Sequence, residues 1–418
     1  MNVEIVTVGD ELLLGETIDL NAVWLARELG TIGVSVVRRV TVGDTAADIA
    51  AAVREAMDRT GAVITTGGLG PTADDRTRPA IAGLLGRRLL YDDVIWEGLR
   101  ALWRDRGRSG EPPESNRQQA MVPEGATVLI NRRGTAPGLL LEDDDRRWVA
   151  LLPGVPGEMR GIMTEELLPR LRAQRADVLR VIRSITLRST GIPESRLPDL
   201  LGIHAEGVGR ATLAYLPGQE GVDLRLTVRN ADPEDADRVL LEASGTIRSL
   251  LGRYWYADGP TDLAEVVVDG CRSAGRHVAV AESCTGGMLG ARLTSVSGSS
   301  DVFMGGVIAY DNAVKVNQLG VDPSQLERVG AVSEAVVRAM ASGVRTLLEA
   351  DIGIGITGIA GPHGGTPDKP VGLVWIAVDF GDHTVVHEGR YAGDRAEIRF
   401  RATQSSLDLI RRGISGAT

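Results

Sequence analysis

Cysteine is nearly absent from this 418-residue chain. Cys271 and Cys284 are the only two, which excludes a disulfide framework and a cysteine-rich metal site. The five histidines (His204, His277, His363, His383 and His387) have no matching ligand pattern around them, so little material exists for a zinc cluster. Aromatic residues make up 4%, too few for a base-stacking platform. Positive charge is not in excess: a net charge of −10 and a pI near 5.2 argue against nucleic acid as a partner. No apolar run approaches the ~18 residues of a membrane span. The opening MNVEIVTVGDELL has no basic n-region or signal-like core, so no membrane partner and a cytoplasmic location are expected.

What is present is ordinary for a globular protein, with 43% hydrophobic and 24% charged residues. The length predicts two to four domains. Strand and helix patterns alternate over roughly the first 165 residues. VEIVTVG, VSVVRRVTVGD and AVITTGG read as strands. TIDLNAVWLARELGTIG and TAADIAAAVREAMDRTG read as helices, the second capped by Thr45 or Asp44 and closed by Gly61. This pattern predicts a doubly wound parallel sheet. Residues 104–119 read as a loop, and a helix ends in LLPRLRAQRAD. From about 175 to 256 the pattern changes to a small α+β unit of KH-like or ferredoxin-like type, beginning with the long strand VLRVIRSITLRSTG. A further α/β domain follows the YADGP linker. The expected divisions are 1–170, 171–256 and 257–418.

The most informative stretch is HVAVAESCTGG at 277–287, followed by the helix pattern MLGARLTSV. Ser283 falls on a tight strand-to-helix turn, where its hydroxyl is exposed and unpaired helix N–H groups lie beside it. Acyl-transfer enzymes use this layout. Phosphate-binding loops and plain tight turns share it. No histidine is placed as a partner, which disfavours a Ser-His-Asp triad. The next motif, GGVIAYDNAVK (305–315), offers Tyr310 and Lys315. A desolvated lysine beside a nucleophile can act as its base, although most lysines are solvated. DIGIGITGIAGPHGG ends a strand at Thr357-Gly358, with glycines that admit close backbone contact. In RYAGDRAEIRFRAT, Asp394 suits a helix cap. Arg395 and Arg399 share a helix face and suit either a phosphate or a surface ion pair.

A second candidate site lies in the first domain. Successive strand ends carry Asp10-Glu11, Asp44 and Gly67-Gly68-Leu69-Gly70-Pro71, followed by Asp74 and Asp75. Ligands of open α/β sheets bind at such an edge. Glycines beside a helix start suit a phosphate, and clustered carboxylates suit a hard divalent cation such as Mg²⁺. The alternative is that these aspartates only cap helices.

TTGGLGPTADDRT (65–77) resembles the molybdopterin-binding MoaB/MogA type of domain. With GDELLLGETIDLNAVWLA, NRRGTAPGLLLE and LPGVPGEM, the region resembles the amino-terminal domain of the competence/damage-inducible CinA family. AESCTGG, GGVIAYDNAVK, TGIAGPHGG with KPVG, and GDRAEIR resemble that family's carboxy-terminal nicotinamide mononucleotide (NMN) deamidase domain. The resemblance covers essentially the whole chain, with 171–256 as a linking domain. It implies a metal-dependent ADP-ribose pyrophosphatase in the first domain. There the metal falls to Asp10, Glu11, Asp44, Asp75 and Glu158, and substrate contacts to Gly67, Gly68, Asp74, Thr77 and Asn131. In the carboxy-terminal domain the resemblance makes Ser283 the nucleophile and Lys315 its base, with Tyr310 in support. Thr285, Gly286, Gly287, Asn312, Thr357, Gly358, Arg395 and Arg399 contact substrate, and no cofactor is needed. N–H groups near Thr285–Gly287 would stabilise the oxyanion. Cys284 is a rival nucleophile. The expected partners are NMN and ADP-ribose, and the expected assembly a homodimer. Two other readings stand beside this one: a competence-linked scaffold whose first domain only binds a pterin or nucleotide, and a serine amidase acting on other small amides.

Overall fold

The computed structural model describes residues 1–173 and 180–416. It divides into two compact units. One comprises residues 1–183 with 228–238, the other 184–227 with 239–418. The expected end of the LLPRLRAQRAD helix and the first residues of the following strand lie at 174–179, outside the described residues.

In the first unit, β1 (Asn2–Val8), β2 (Ser35–Val42), β3 (Ala62–Thr66), β4 (Thr127–Leu129), β5 (Gly138–Glu142) and β6 (Trp148–Leu152) form one sheet in the order β2-β1-β3-β6-β5-β4. β2, β1, β3 and β6 are parallel, whereas β5 and β4 join antiparallel. The expected doubly wound sheet is present and carries two antiparallel strands at one edge, a common finish to such a sheet. Alternation along β1 sends Val3 and Ile5 to one face, against Leu25 and Leu29 of α1 (Leu20–Thr31). Val6 and Val8 go to the other, against Ile49, Val53 and Ala56 of α2 (Ala46–Thr60). Thr45 caps α2 through its side chain and left-handed Gly61 ends it, while the Asp44 carboxylate accepts from Asp10 instead. The 104–119 segment contains a short 3₁₀ turn at Glu114–Ala120.

The KH-like sheet has β7 (Val181–Ser189), β8 (Gly207–Val208), β9 (Ala211–Pro217), β10 (Val222–Ala231) and β11 (Trp255–Asp258) in the order β8-β9-β10-β7-β11. The carboxy-terminal sheet has β12 (Val278–Glu282), β13 (Phe303–Ile308), β14 (Ile352–Gly358), β15 (Leu373–Asp379) and β16 (Thr384–Arg390) in the order β13-β12-β14-β15-β16. Its first three strands are parallel and the last two antiparallel. Val278, Val280 and the Ile352, Ile354, Ile356 series pack on one face with Leu263, Val267, Ile398, Ala402 and Ile410. Ala279 and Ala281 pack on the other with Val336, Met340 and Val344. Tyr256 and Ala257, at the start of the YADGP segment, belong to the first of these cores. No helix among the described residues is long and apolar enough to cross a membrane.

Candidate active site

The carboxyl ends of β12, β13 and β14 meet the start of the last helix, Arg395–Ser415, and the Ser283 turn lies between them. Ser283 follows β12 directly, and its N–H donates to Ile356 O at 2.9 Å. The turn needs its glycines: Gly286 has φ +58 and Gly287 φ +93, backbone that a side chain would strain. The helix that follows, Met288–Thr294, has no capping side chain at its own N-cap. Glu282 takes that role from the strand. Its carboxylate, 1% exposed, accepts the N–H groups of Gly287 (3.1 Å), Leu289 (3.1 Å) and Gly290 (2.8 Å).

These bonds correct the expected oxyanion donors. The Gly287 N–H is held by Glu282, and the Gly286 N–H donates to Ser283 O at 3.2 Å. The Thr285 N–H has no backbone acceptor among the described residues, and the Cys284 N–H meets only its own thiol. They are the donors left to face a charge developing beside Ser283. The Thr285 hydroxyl is buried and unpartnered as well.

Lys315 is 1% exposed. Its Nζ donates to Ala309 O at 2.8 Å and Tyr310 O at 3.2 Å, and the Ala309 N–H in turn donates to Glu282 O at 2.8 Å. Burial pulls its pKa below the ordinary lysine value, with the charge of Asp311 opposing. Ser283 and Lys315 share no hydrogen bond. Free enzymes commonly show such pairs apart, closing only on substrate. Arginine supplies almost all of the 46 basic residues, and Lys315 and Lys369 are the two lysines. Lys369 serves the fold, its Nζ donating to Val329 O at 2.6 Å.

Cys284 is 6% exposed within the hydrophobic core, and burial pushes its thiol up to about 12. It is therefore a protonated, packed group. Tyr310 and Asn312 are exposed, and Asp311 caps the helix Asn312–Leu319. Arg395 donates to Gly361 O at 2.8 Å and to the Tyr310 hydroxyl at 3.2 Å. Arg399 donates to Thr285 O at 2.7 Å, clamping the Ser283 turn. Both arginines keep further N–H groups for a ligand. Asp394 caps their helix in a capping box with Glu397. Thr357 is buried and donates to Ala331 O at 3.0 Å. A side chain at Gly358 would meet Leu373 O at 2.7 Å, so this glycine serves strand packing.

The first unit holds a cavity of about 390 Å³, lined by Glu11, Asp44, Gly67, Gly68, Asp74, Asp75 and Glu158 among others. Asp10 and Asp44 bond reciprocally: the Asp10 N–H donates to Asp44 Oδ2 at 3.1 Å, and the Asp44 N–H to Asp10 Oδ1 at 3.3 Å. Burial and then the charges of Asp10, Glu11 and Asp74 raise the pKa of Asp44. Among the described residues no three His, Cys, Asp or Glu side chains converge on a metal position, so the expected five-carboxylate set is corrected. Asp75 accepts from Gly70 N (2.6 Å), Thr72 N (2.8 Å) and Thr72 Oγ1 (2.6 Å). Glu158 accepts from Asn131 Nδ2 at 2.6 Å. Both brace loops.

Thr77 and Asn131 are braces as well. Thr77 donates to Gly67 O at 2.9 Å. Asn131 also donates to Ala136 O at 2.8 Å and accepts from the Arg133 and Gly134 N–H groups. Sequence reasoning missed Arg78, buried beneath the glycine loop and donating to Leu69 O and Gln118 O. Burial lowers it to about 10. It missed Glu282 too, although a carboxylate ending an apolar strand is a visible signal.

Family models match in chain order. They are the "Probable molybdopterin binding domain" over residues 4–173, the "Damage-inducible protein CinA KH domain" over 184–257, and the "CinA C-terminal domain" over 260–414. A CinA-like protein of Gemmatimonas aurantiaca is 55% identical over 416 residues, spanning 99% of this chain and 97% of that protein. Another, from Kosmotoga olearia, is 40% identical over 414 residues, with 99% of each covered. The solved structure of competence/damage inducible protein CihA from Agrobacterium tumefaciens is 37% identical over 37% of this chain and 93% of that one, with a TM-score of 0.36.

Proposed function

Because this chain belongs to the CinA-like family, we propose that its carboxy-terminal site hydrolyses the carboxamide of nicotinamide mononucleotide to nicotinate mononucleotide and ammonia. The observation that carries this reading is Lys315: a buried lysine with a depressed pKa, linked through Ala309 to Glu282, the residue before Ser283, in a chain with two lysines. Ser283 Oγ attacks the carboxamide carbon, and its proton passes to neutral Lys315 Nζ. The Cys284 and Thr285 N–H groups hold the oxyanion. The C–N bond then breaks, and Lys315 returns the proton to the departing ammonia. Water attacks the acyl-Ser283 ester by the same proton route and releases the acid. Arg395 and Arg399 supply cationic N–H groups for the substrate phosphate. Ammonia release from NMN should vanish in Ser283→Ala; a Ser283→Ala protein at the wild-type rate contradicts the reading. A small amide lacking the ribose phosphate should be a poor substrate, which separates this reading from a general serine amidase.

For the first unit the reading is binding and metal-dependent cleavage of ADP-ribose. Asp10 and Asp44 would hold a divalent cation jointly with substrate oxygens, the usual way Mg²⁺ is bound at phosphates. When bound, the cation neutralises phosphate charge and activates water. The glycine loop, braced by Thr77, Asp75 and Arg78, lets backbone approach the pyrophosphate. The lack of three converging carboxylates among the described residues favours a second reading, a nucleotide- or pterin-binding module without turnover. AMP release from ADP-ribose with Mg²⁺ supports cleavage, and binding without AMP supports the module. The whole reading includes a cytoplasmic homodimer, with twice the 44.4 kDa of one chain by light scattering.

A further inference from the structure

A second cavity, of about 380 Å³, opens within the carboxy-terminal unit, where the KH-like segments around Thr190 and Arg253 face the last helix. Its polar lining includes Arg253, Arg412, His387, Tyr391 and Asp408. Charge does not balance there. Asp408, 8% exposed, is already answered by Arg411, which donates to its Oδ1 at 2.7 Å and ties down Trp255 O and Arg253 O with its other N–H groups. Arg412 also approaches this carboxylate, so on the lining two cations, Arg253 and Arg412, outnumber one anion.

Arg412 Nε, buried on this lining, makes no well-directed hydrogen bond, and the Tyr391 hydroxyl has only a loose contact with Ser405. Arg412 Nε lies 3.1 Å from Asp408 Oδ2, an ion pair without good alignment. Unsatisfied buried donors are costly and ask for a partner. Guanidinium groups beside a hydroxyl donor are the chemistry that recognises phosphate.

The geometry points to this cavity as a second, non-catalytic anion site that takes the phosphate group of a small phosphorylated metabolite. Arg253 and Arg412 pair with the phosphate oxygens and Tyr391 donates its hydroxyl. His387, held below its ordinary pKa first by burial and then by Arg412, is a neutral donor at neutral pH. The site is separate from the Ser283 centre: Arg399 and Arg412 are thirteen residues apart on one helix, about 20 Å along its axis. It stands or falls independently of the deamidase reading.

The test uses the six tyrosines as reporters. The full chain is labelled with 3-fluorotyrosine and its ¹⁹F spectrum assigned with Tyr254→Phe and Tyr391→Phe. It is then titrated separately with inorganic phosphate and with ribose 5-phosphate. The Tyr254 and Tyr391 signals should shift together, on one saturating curve, in at least one arm. A lower midpoint for ribose 5-phosphate assigns the site to phosphate esters, and equal midpoints assign it to the phosphate group alone. Arg253→Gln, at an exposed position, should raise the midpoint about tenfold, as loss of a charge-assisted bond does; Arg412→Gln should do the same. No saturable shift at Tyr254 and Tyr391, a shift confined to Tyr310, or midpoints unchanged in Arg253→Gln overturns the proposal.

Discussion

The carboxylate of Glu282 accepts the N–H of Gly290 at 2.8 Å, so the residue before Ser283 holds the helix after it. With the bonds to Gly287 and Leu289, this fixes the span 282–290 around Ser283. Glu282→Gln turns one acceptor oxygen into a donor aimed at N–H groups. It should cost about 1–3 kcal/mol in denaturant unfolding. The kcat of NMN hydrolysis should fall at least tenfold while KM stays within about twofold, because the nucleophile is misaligned and the phosphate contacts are untouched. An unchanged kcat at reduced stability would leave Glu282 with a purely structural role.

Cys284 should behave as a packed thiol. With its pKa pushed up to about 12, alkylation by iodoacetamide at neutral pH should be slow in the folded protein and fast in denaturant. Cys284→Ser should keep most of the ammonia-releasing activity. A dead Cys284→Ser with an active Ser283→Ala would exchange the two roles.

The carboxy-terminal domain should depend on its KH-like neighbour. Arg188 donates to Thr261 O at 3.0 Å, Gln404 to Glu220 O at 2.9 Å and Arg411 to Arg253 O at 2.6 Å. A fragment of residues 256–418 loses all three bonds. It should melt at least several degrees below a fragment of residues 180–418 in a thermal scan. Equal melting temperatures would show that these contacts add nothing.

Asp44 and Asp75 should separate by phenotype. Asp75→Asn removes an anion that holds Gly70 and Thr72, so the first unit should lose stability with or without metal. Asp44→Asn should relieve repulsion from Asp10 and Glu11, leave stability equal or higher, and abolish any metal-dependent ADP-ribose cleavage. EDTA should reproduce the Asp44→Asn effect and spare NMN hydrolysis. Loss of both activities under EDTA contradicts two independent sites.

Strands, helices and the glycine turn at 283–287 were legible because apolar spacing and glycine position are local properties. Strand direction was not. The apolar runs LVWIAVD and GLLLE look alike whether parallel or antiparallel, so both antiparallel edges were missed. The family resemblance also implied Asp75, Glu158, Thr77 and Asn131 as ligand contacts. A polar side chain beside a glycine loop suits a ligand or the loop itself, and only the hydrogen bonds decide between them. Glu282 and Arg78 escaped notice because a buried charge depends on partners brought by the fold, here the helix N–H groups and the Leu69 and Gln118 carbonyls.

The most direct test of the central claim is the pH dependence of ammonia release from NMN, compared between wild type and Lys315→Arg. Burial disfavours the Lys315 ammonium, so its folded pKa lies below the 10.5 of an ordinary lysine. Between those two values the unfolded chain binds more protons than the folded one, so this group's contribution to stability rises with pH across that window. The neutral amine needed as base grows over the same direction. The wild-type rate should therefore climb with pH to a plateau, with its midpoint below 10.5. Lys315→Arg should show no such limb and fall to the level of Lys315→Ala, since arginine keeps its proton. A Lys315→Arg enzyme near the wild-type rate, with the same pH limb, would contradict the account.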